Sequence, residues 1–257
     1  MIPEIDISLT NGKKIYFASD FHLGSPSGEI SLLREKKLIR WLESIKSDAS
    51  NIMLVGDVFD FWYEYKYAIP KGHLAFQAKL LELSEMGIKF YFFPGNHDIW
   101  MFDYFQSLLG ATISRKPLVF NINQQKFYIV HGDGYGPGDY SHKLLMLVFE
   151  NPFFQWVFRM FPVNFSFWVA TAWSNSSRIS NEKYDERFFG EKELLWAYAK
   201  EIEQKSHHDY YIFGHRHMSL DLPVGSQSRY INLGEWFNKC NYAVFDGNKL
   251  TTHTYVD

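Results

Sequence analysis

The sequence contains a single cysteine, Cys240, in 257 residues. An internal disulfide is therefore excluded, and a reducing cytoplasm is the compartment that this composition favours. A basic excess is also missing, because the formal net charge at pH 7 is -3. Proteins that mainly bind nucleic acid without sequence preference usually carry a clear positive charge, so we expect no nucleic-acid partner.

The first ten residues lack the features of a secretory signal. Glu4 and Asp6 stand where such a signal would have a basic start, and no apolar run follows them. We therefore expect no export signal in this segment.

Short apolar runs alternate with amphipathic stretches along most of the chain. Runs ending near residues 19, 55 and 93 are predicted to be buried strands, and the apolar spacing predicts helices at about 30–45 and 73–86. A short helix at 101–109 and strands at 127–130, 210–213, 229–233, 242–245 and 250–255 are also predicted, with Asp246-Gly247 as a hairpin turn. This alternation indicates an α/β fold in which helices cover the sheet.

A segment at about 135–187 shows no clear strand pattern and is dense in aromatic residues. The chain length suits one core, since single hydrophobic cores stop growing near this size. We therefore predict one domain over residues 1–257 with an insertion at about 135–187.

Five polar clusters each follow a predicted strand. They are Asp20-Phe21-His22, Gly56-Asp57-Val58-Phe59-Asp60, Gly95-Asn96-His97-Asp98, His131-Gly132-Asp133 and Gly214-His215-Arg216-His217. Taken alone, an Asp-x-His sequence is usually a solvated turn or a surface pair. Together, the clusters hold enough oxygen and nitrogen ligands for two metal ions.

Two divalent ions, roughly 3.5–4 Å apart in known sites, can activate a water and neutralise the oxygens of a phosphoryl group. Such a pair needs a bridging carboxylate. Asp57 is the candidate, because the preceding Gly56 permits a sharp turn at the strand end. Asn96 and His131 would complete the shell of the second ion.

Asp20 and His22 are two residues apart on an extended segment, so they can point the same way and serve one ion. His215 and His217 have the same spacing. A mixture of imidazole, carboxylate and amide without thiolate suits Mn²⁺, Fe²⁺ or Zn²⁺. The remaining carboxylates of the clusters are expected to orient ligating histidines or to close turns: Asp60, Asp98 and Asp133.

The stretch at 152–173 is apolar and long enough to resemble a membrane span, but Gln155, Arg159, Pro162 and Asn164 interrupt it. Three interpretations of this stretch are open: a true membrane span, a plain hydrophobic core, and an apolar lid or membrane-surface element. We favour the last. A lid of paired helices broken near Pro162 would place an apolar groove beside the metals. Such a groove suits a substrate with acyl chains and a phosphate.

As an ordered set, the five clusters resemble the motifs of the calcineurin-like metallophosphoesterases, and they span most of the chain. The resemblance implies a four-layer αββα sandwich of two mixed sheets, with a dinuclear centre at the strand C-terminal ends. It also implies two ligand sets, Asp20, His22, Asp57 and His217 for one ion, and Asp57, Asn96, His131 and His215 for the other. His97 would then contact the scissile phosphate or the leaving group, and would act in catalysis with Asp57 and Asn96.

The chain is similar to one branch of that family, the UDP-2,3-diacylglucosamine pyrophosphohydrolases of lipid A synthesis. That branch also carries a helical cap between its His-Gly-Asp and Gly-His-x-His motifs, and it has similar stretches at 57–62, 175–176 and 233–236. It commonly has arginine at the position of His97. By their positions, three residues are expected to face the sugar and phosphates: Asp139, Ser176 and Lys183. Arg178 is a further candidate for contact with the phosphates.

This resemblance implies a cytoplasmic hydrolase, peripherally associated with the inner membrane, that cleaves UDP-2,3-diacylglucosamine to UMP and 2,3-diacylglucosamine 1-phosphate. The expected cofactors are two divalent ions, with Mn²⁺ as first choice and Fe²⁺ or Zn²⁺ as alternatives. One rival is a metallophosphoesterase acting on another lipid pyrophosphate or on a nucleotide phosphoester. Another is a non-catalytic binding scaffold, although such scaffolds tend to lose metal ligands and this chain retains the full set.

Overall fold

The computed structural model describes residues 2–26, 28–138, 140–169, 172 and 187–257. Its strands are β1 (Glu4–Ile7), β2 (Lys14–Ala18), β3 (Ala49–Leu54), β4 (Lys89–Phe92), β5 (Thr112–Ile113), β6 (Leu118–Ile122), β7 (Gln125–Ile129), β8 (Tyr210–Phe213), β9 (Ser219–Val224), β10 (Ser228–Leu233), β11 (Asn241–Phe245) and β12 (Leu250–Thr254). Its helices are α1 (Gly28–Ile45), α2 (Leu74–Glu85), α3 (Tyr104–Leu109), α4 (Tyr140–Phe149), α5 (Pro152–Met160) and α6 (Leu194–Glu203).

The strands form two six-stranded mixed sheets. The first has the order β1-β6-β7-β8-β10-β9 and the second β12-β11-β2-β3-β4-β5. In the second sheet, β2, β3, β4 and β5 run parallel, β11 pairs antiparallel with β2, and β12 pairs antiparallel with β11. In the first sheet, β7 and β8 are parallel neighbours. The carboxyl ends of β2, β3 and β4 therefore lie together at one edge, as do those of β7 and β8.

Alternation along β2 shows how the layers are made. Ile15 and Phe17 belong to the core between the two sheets, whereas Tyr16 and Ala18 belong to the core beneath α1, α2 and α3. On the outer face of the first sheet, Leu195 and other α6 residues form a third core. The result is helix, sheet, sheet, helix, which confirms the predicted four-layer αββα architecture with two mixed sheets.

The predicted strands and helices are present, with bounds that differ by a few residues. Sequence reasoning missed β1, β5, β6, β9 and α6. Of these, β5 has only two residues, and β9 lies at a sheet edge and contains Pro223, which an edge strand tolerates. The apolar run of β6 and the helical spacing in α6 were readable signals that the prediction did not use.

The described part of the predicted insertion is helical. The Asn151 side chain accepts a hydrogen bond from the backbone N–H of Phe153 at the start of α5, and Pro152 occupies the first helical position. The helix ends at Met160, and residues 163–169 form a further helical stretch after Pro162, so the predicted break near Pro162 is confirmed. Within the described ranges, every helix is too short or too polar to cross a membrane. The insertion bounds of about 135–187 stay a prediction.

A small apolar cluster joins α4 and α5 to the loops that follow β3 and β4. Its buried members are Tyr63, Ile99, Trp100 and Met146. The Trp100 indole N–H donates to the carbonyl of Phe149 at 3.0 Å, and the Tyr63 hydroxyl donates to the carbonyl of Gln155 at 2.9 Å. The cap, which we define as α4, α5 and residues 163–169, is thus seated on two of the loops that carry the polar clusters.

Candidate metal centre

Each of the five polar clusters follows one strand of the two parallel groups. The clusters after β2, β3 and β4 come from one sheet, and those after β7 and β8 come from the other. The structure brings six of the predicted ligands together at one edge of the sandwich: Asp20, His22, Asp57, His131, His215 and His217. The seventh, Asn96, is buried on the loop after β4 and lines the adjoining cavity. The role of these residues in metal binding stays a prediction.

One group of ligand atoms surrounds Asp20. The Oδ1 atom of Asp20 lies 3.2 Å from His217 Nε2 and 3.9 Å from His22 Nε2. The two imidazole Nε2 atoms are 3.2 Å apart, and His22 Nε2 is 3.5 Å from Asp57 Oδ2. These four side chains converge closely enough to hold one ion, and they match the set implied for the first ion.

A second group shares Asp57. Its Oδ2 atom lies 3.4 Å from His131 Nε2, and the ring of His215 is 5.3 Å from that of His131 between centroids. Asp57, His131 and His215 also converge closely enough to hold an ion. Because Asp57 belongs to both groups, its carboxylate is placed to bridge two ions.

The protonation chemistry at His131 fits a cation at this position. His131 Nδ1 donates to the carbonyl of Val55 at 2.8 Å, so in the neutral ring the Nε2 lone pair faces the carboxylate of Asp57. Two facing lone pairs need a cation between them, either a proton or a metal ion. Burial favours the neutral imidazole, but attraction by Asp57 prevails and raises the pKa of His131 to about 10. A bound metal would replace that proton.

The other predicted ligands also suit a bound cation. The Asn96 Oδ1 atom is buried without a hydrogen bond from the described residues, which is costly unless a cation takes its lone pair. Burial lowers the pKa of His22 to about 4, so this imidazole is neutral and can ligate. Burial alone would raise the pKa of Asp57, but the charge of His131 holds it well below the usual value, so this carboxylate is ionised.

The backbone is unusual at these loops. Five of the predicted ligands adopt left-handed φ values, between 44° and 67°: Asp20, His22, Asp57, His215 and His217. Such strain in non-glycine residues clusters at functional sites. Glycine is also needed next to the ligands, because a Cβ on Gly56 would lie 2.2 Å from His131 Nδ1, and one on Gly95 would lie 2.2 Å from Asp57 Oδ1. The glycines of the motifs therefore make room for the ligands.

Asp98 joins two ligand loops. Its carboxylate accepts backbone N–H groups from Val58 at 2.8 Å and from Gly95 at 2.7 Å, so it fixes the loop of Asp57 against the loop of Asn96. Asp60 Oδ1 lies 3.4 Å from His22 Nδ1 and 3.7 Å from His97 Nδ1. Asp98 is thus placed to fix the two loops, and Asp60 is placed to orient the rings of His22 and His97.

Two buried arginines, Arg34 and Arg216, and the largely buried Arg115 support the loops, and none of the three was predicted from the sequence. Arg34 donates to the carbonyls of Phe21, His22 and Ser25 at 2.9–3.0 Å and lies over the ring of Phe237. Arg216 pairs with Glu193, with Nε 3.1 Å from Oε2. Arg115 donates to the carbonyl of Pro94 and to the carboxylate of Asp133. Only Arg216 lay inside a motif; nothing in the sequence around the other two indicated a role.

His97 stands between the metal groups and the cap. Its Nδ1 donates to the carbonyl of Asp60 at 3.0 Å, and its backbone N–H donates to Asp57 Oδ1 at 3.0 Å. Both bonds hold its ring at the wall of a cavity of about 280 Å³. Apart from Asp60, Asn96 and His97, the cavity is lined by apolar side chains: Phe61, Ile99, Trp100, Val148, Phe149, Phe154, Val157, Phe158, Phe161 and Val169.

The predicted contacts to sugar and phosphates lie outside the described residues. These are Asp139, Ser176, Arg178 and Lys183. They stay predictions.

The sequence matches a known family over most of its length. Residues 13–219 match the calcineurin-like phosphoesterase family. A UDP-2,3-diacylglucosamine hydrolase from Porphyromonas gingivalis is 35% identical over 257 residues, covering 95% of this chain and 98% of its own. A protein of the same name from Aeromonas salmonicida is 24% identical over 229 residues, covering 87% and 86%. The solved structure of YfcE, a phosphoesterase from E. coli, has a TM-score of 0.45 at 17% identity, covering 93% and 91%. The chain belongs to the calcineurin-like phosphoesterase family.

Proposed function

We propose that this chain is a metal-dependent hydrolase that cleaves the pyrophosphate bond of UDP-2,3-diacylglucosamine, giving UMP and 2,3-diacylglucosamine 1-phosphate. The observation that carries the proposal is the apolar cavity, which is lined by the predicted ligand Asn96 and by His97 and therefore adjoins the candidate metal centre. A lipid pyrophosphate needs a charged site and an apolar site side by side. The relative from P. gingivalis, which aligns over nearly the whole of both chains, bears the corresponding name.

The metal centre would hold two divalent ions in the two groups that share Asp57. Mn²⁺ is our first choice, and Fe²⁺ or Zn²⁺ would suit the same nitrogen and oxygen ligands. When bound, the ions would polarise the phosphoryl group and activate the attacking water.

The protein side chains position the substrate around that chemistry. The ring of His97, held by the carbonyl of Asp60, would contact the phosphoryl oxygens or the leaving group. The acyl chains would enter the apolar cavity beneath α4 and α5. Asp139, Ser176 and Lys183 would face the sugar and phosphates, and Arg178 would be a further contact to the phosphates.

The deciding experiment incubates the purified, Mn²⁺-loaded protein with UDP-2,3-diacylglucosamine and measures UMP. We expect UMP to be released together with the acylated sugar 1-phosphate. Hydrolysis of a generic aryl phosphodiester without UMP release would refute the specific substrate and leave the reaction class intact.

A second candidate, a phosphoesterase acting on another lipid pyrophosphate, is favoured by one observation. The chain carries His97 where the branch that it resembles commonly has arginine, and histidine is the residue of the wider family. Cleavage of the pyrophosphate bond of a different lipid pyrophosphate, faster than UMP release, would favour this candidate.

The outer face of the cap suits the surface of a membrane. Large apolar side chains are exposed along α5 and the helical stretch after it, including Phe153, Trp156, Met160 and Trp168. An exposed patch of this kind in a monomer marks an interaction surface. We propose that this face contacts the inner-membrane surface from the cytoplasmic side, where the lipid substrate would be found.

Replacing Trp156 with serine is expected to weaken vesicle binding about tenfold, because burying a half-exposed tryptophan in the interface contributes roughly 1.5 kcal/mol. Co-sedimentation with phospholipid vesicles measures the effect. Leu33→Ser in α1 is the matched control, since Leu33 is also exposed but lies outside the cap. Equal binding by both variants and the unchanged protein would contradict the proposed membrane face.

A further inference from the structure

Arg115 lies where the cap meets two of the ligand loops. It follows β5, a strand that the sequence did not reveal, and it is largely buried, with 17% of its side chain exposed. Its Nη1 atom donates to the carbonyl of Pro94 at 2.6 Å and to Asp133 Oδ1 at 2.8 Å. Its Nη2 atom donates to Asp133 Oδ2 and contacts the sulfur of Met146. One guanidinium thus touches three separate segments of the chain.

Two of these contacts lead directly to predicted ligands. Pro94 is two residues before Asn96, and Asp133 is two residues after His131. Asp133 is buried. Its two carboxylate oxygens accept two parallel hydrogen bonds from the guanidinium of Arg115, a geometry that resists rotation.

The loops have little free space in which to absorb a displacement. A Cβ on Gly95 would meet Asp57 Oδ1 at 2.2 Å, and a Cβ on Gly132 would meet the Leu195 side chain at 2.8 Å. In close-packed regions such as these, a shift of one group is passed to its neighbours. A movement of the guanidinium would therefore move the loops of Asn96 and His131.

The third contact leads to the cap. Met146 is in α4, and Glu150, the residue after this helix, has its Oε1 atom 3.5 Å from Arg115 Nε. The same end of α4 supplies Val148 and Phe149 to the apolar cavity. A substrate chain that alters the position of α4 would therefore act on Arg115.

We propose that Arg115 is a positioning residue that couples the docking of the cap to the geometry of the second ion's ligands. The inference rests on the proposed function only in taking Asn96 and His131 as metal ligands. Coupling between two sites is reciprocal. Binding of the metal should therefore tighten the docking of α4, and loss of Arg115 should weaken metal binding and remove this effect on the cap.

The test uses the full chain and Mn²⁺, without lipid. Mn²⁺ affinity is measured by calorimetry, and amide hydrogen exchange of residues 140–149 is measured with and without saturating Mn²⁺. In the unchanged protein, Mn²⁺ should slow exchange in α4. In Arg115→Met, the weaker Mn²⁺ site should lose about 10- to 100-fold in affinity, as is usual when a residue that supports the ligands from outside is removed, and exchange in α4 should no longer respond to Mn²⁺. Lys116→Met, at an exposed neighbouring position, should behave like the unchanged protein.

Glu150→Gln separates the contact of Arg115 with the cap from its contacts with the loops of Asn96 and His131. Glu150 is half exposed, so this variant should fold, keep most of its Mn²⁺ affinity and lose part of the effect of Mn²⁺ on α4. The proposal would be overturned if Arg115→Met bound Mn²⁺ with an affinity within twofold of that of the unchanged protein and if Mn²⁺ still slowed amide exchange in its α4. If Arg115→Met does not fold, an unaltered effect of Mn²⁺ in Glu150→Gln would overturn it. Failure to release UMP would end the proposed function but would not affect this result.

Discussion

Replacing Asp57 with asparagine is expected to lower kcat on the order of a thousand-fold and to reduce the number of bound divalent ions. Asp57 is the carboxylate shared by the two candidate ligand groups. Asparagine has nearly the same size but no charge, so it bridges two cations poorly. A loss of several kcal/mol of transition-state stabilisation corresponds to this factor. Metal analysis of the dialysed protein and UMP release at saturating Mn²⁺ measure the two effects.

Asp221→Asn provides the matched control. Asp221 pairs with Arg229 at the surface, on an edge strand away from the ligand clusters, so this variant should keep full activity and metal content. Asp57→Ala additionally distinguishes an enzyme from a scaffold, because a scaffold would keep its partner binding without the bridge. A folded Asp57→Asn protein that retains two ions and more than a tenth of the activity would refute the bridging role.

Replacing His97 with alanine is expected to lower kcat by about 10²- to 10³-fold while metal content stays unchanged. Removing one group that stabilises developing charge typically has an effect of this size. His97 lines the cavity and donates to the carbonyl of Asp60, and it belongs to neither of the two groups that share Asp57. Kinetics at saturating substrate, with parallel metal analysis, measure both quantities.

Arginine at the same position tests the choice of substrate. If the chain acts on the lipid pyrophosphate, His97→Arg should retain more UMP release than hydrolysis of an aryl phosphodiester, since arginine is common here in the branch that the chain resembles. The reverse order of the two residual activities would favour a phosphoesterase with another substrate. Loss of metal from His97→Ala would instead show that this histidine supports the ions.

Much of the fold could be predicted from local patterns. Strands such as β2, β3 and β8 are short apolar runs followed by glycine or aspartate, and α1 has the apolar spacing of an amphipathic helix. These patterns express local physics, namely which face of an element is buried and where the chain turns. The edge strands β1 and β9 were missed because only part of their surface is buried, so their sequences lack a strong pattern.

The candidate ligands could also be predicted, because each depends on a glycine or a strand end close to it in the sequence. The three supporting arginines could not. Arg115 contacts Pro94, Asp133 and Met146, which are 18 to 31 residues away from it in the chain. Nothing near position 115 indicates these partners, since they depend on the packing of the cap and on two separate loops.

The sequence by itself determined which residue types are available for metal chemistry, in which order they occur and that each stands at the end of a strand. The tertiary structure decided that Asp57 belongs to both groups, that His97 lies between these groups and an apolar cavity, and that Arg115 joins the cap to the loops of Asn96 and His131. The physical reason is distance along the chain. Turns and periodicity act between neighbouring residues, whereas convergence of side chains and the shape of a cavity arise only when two sheets and a cap pack together.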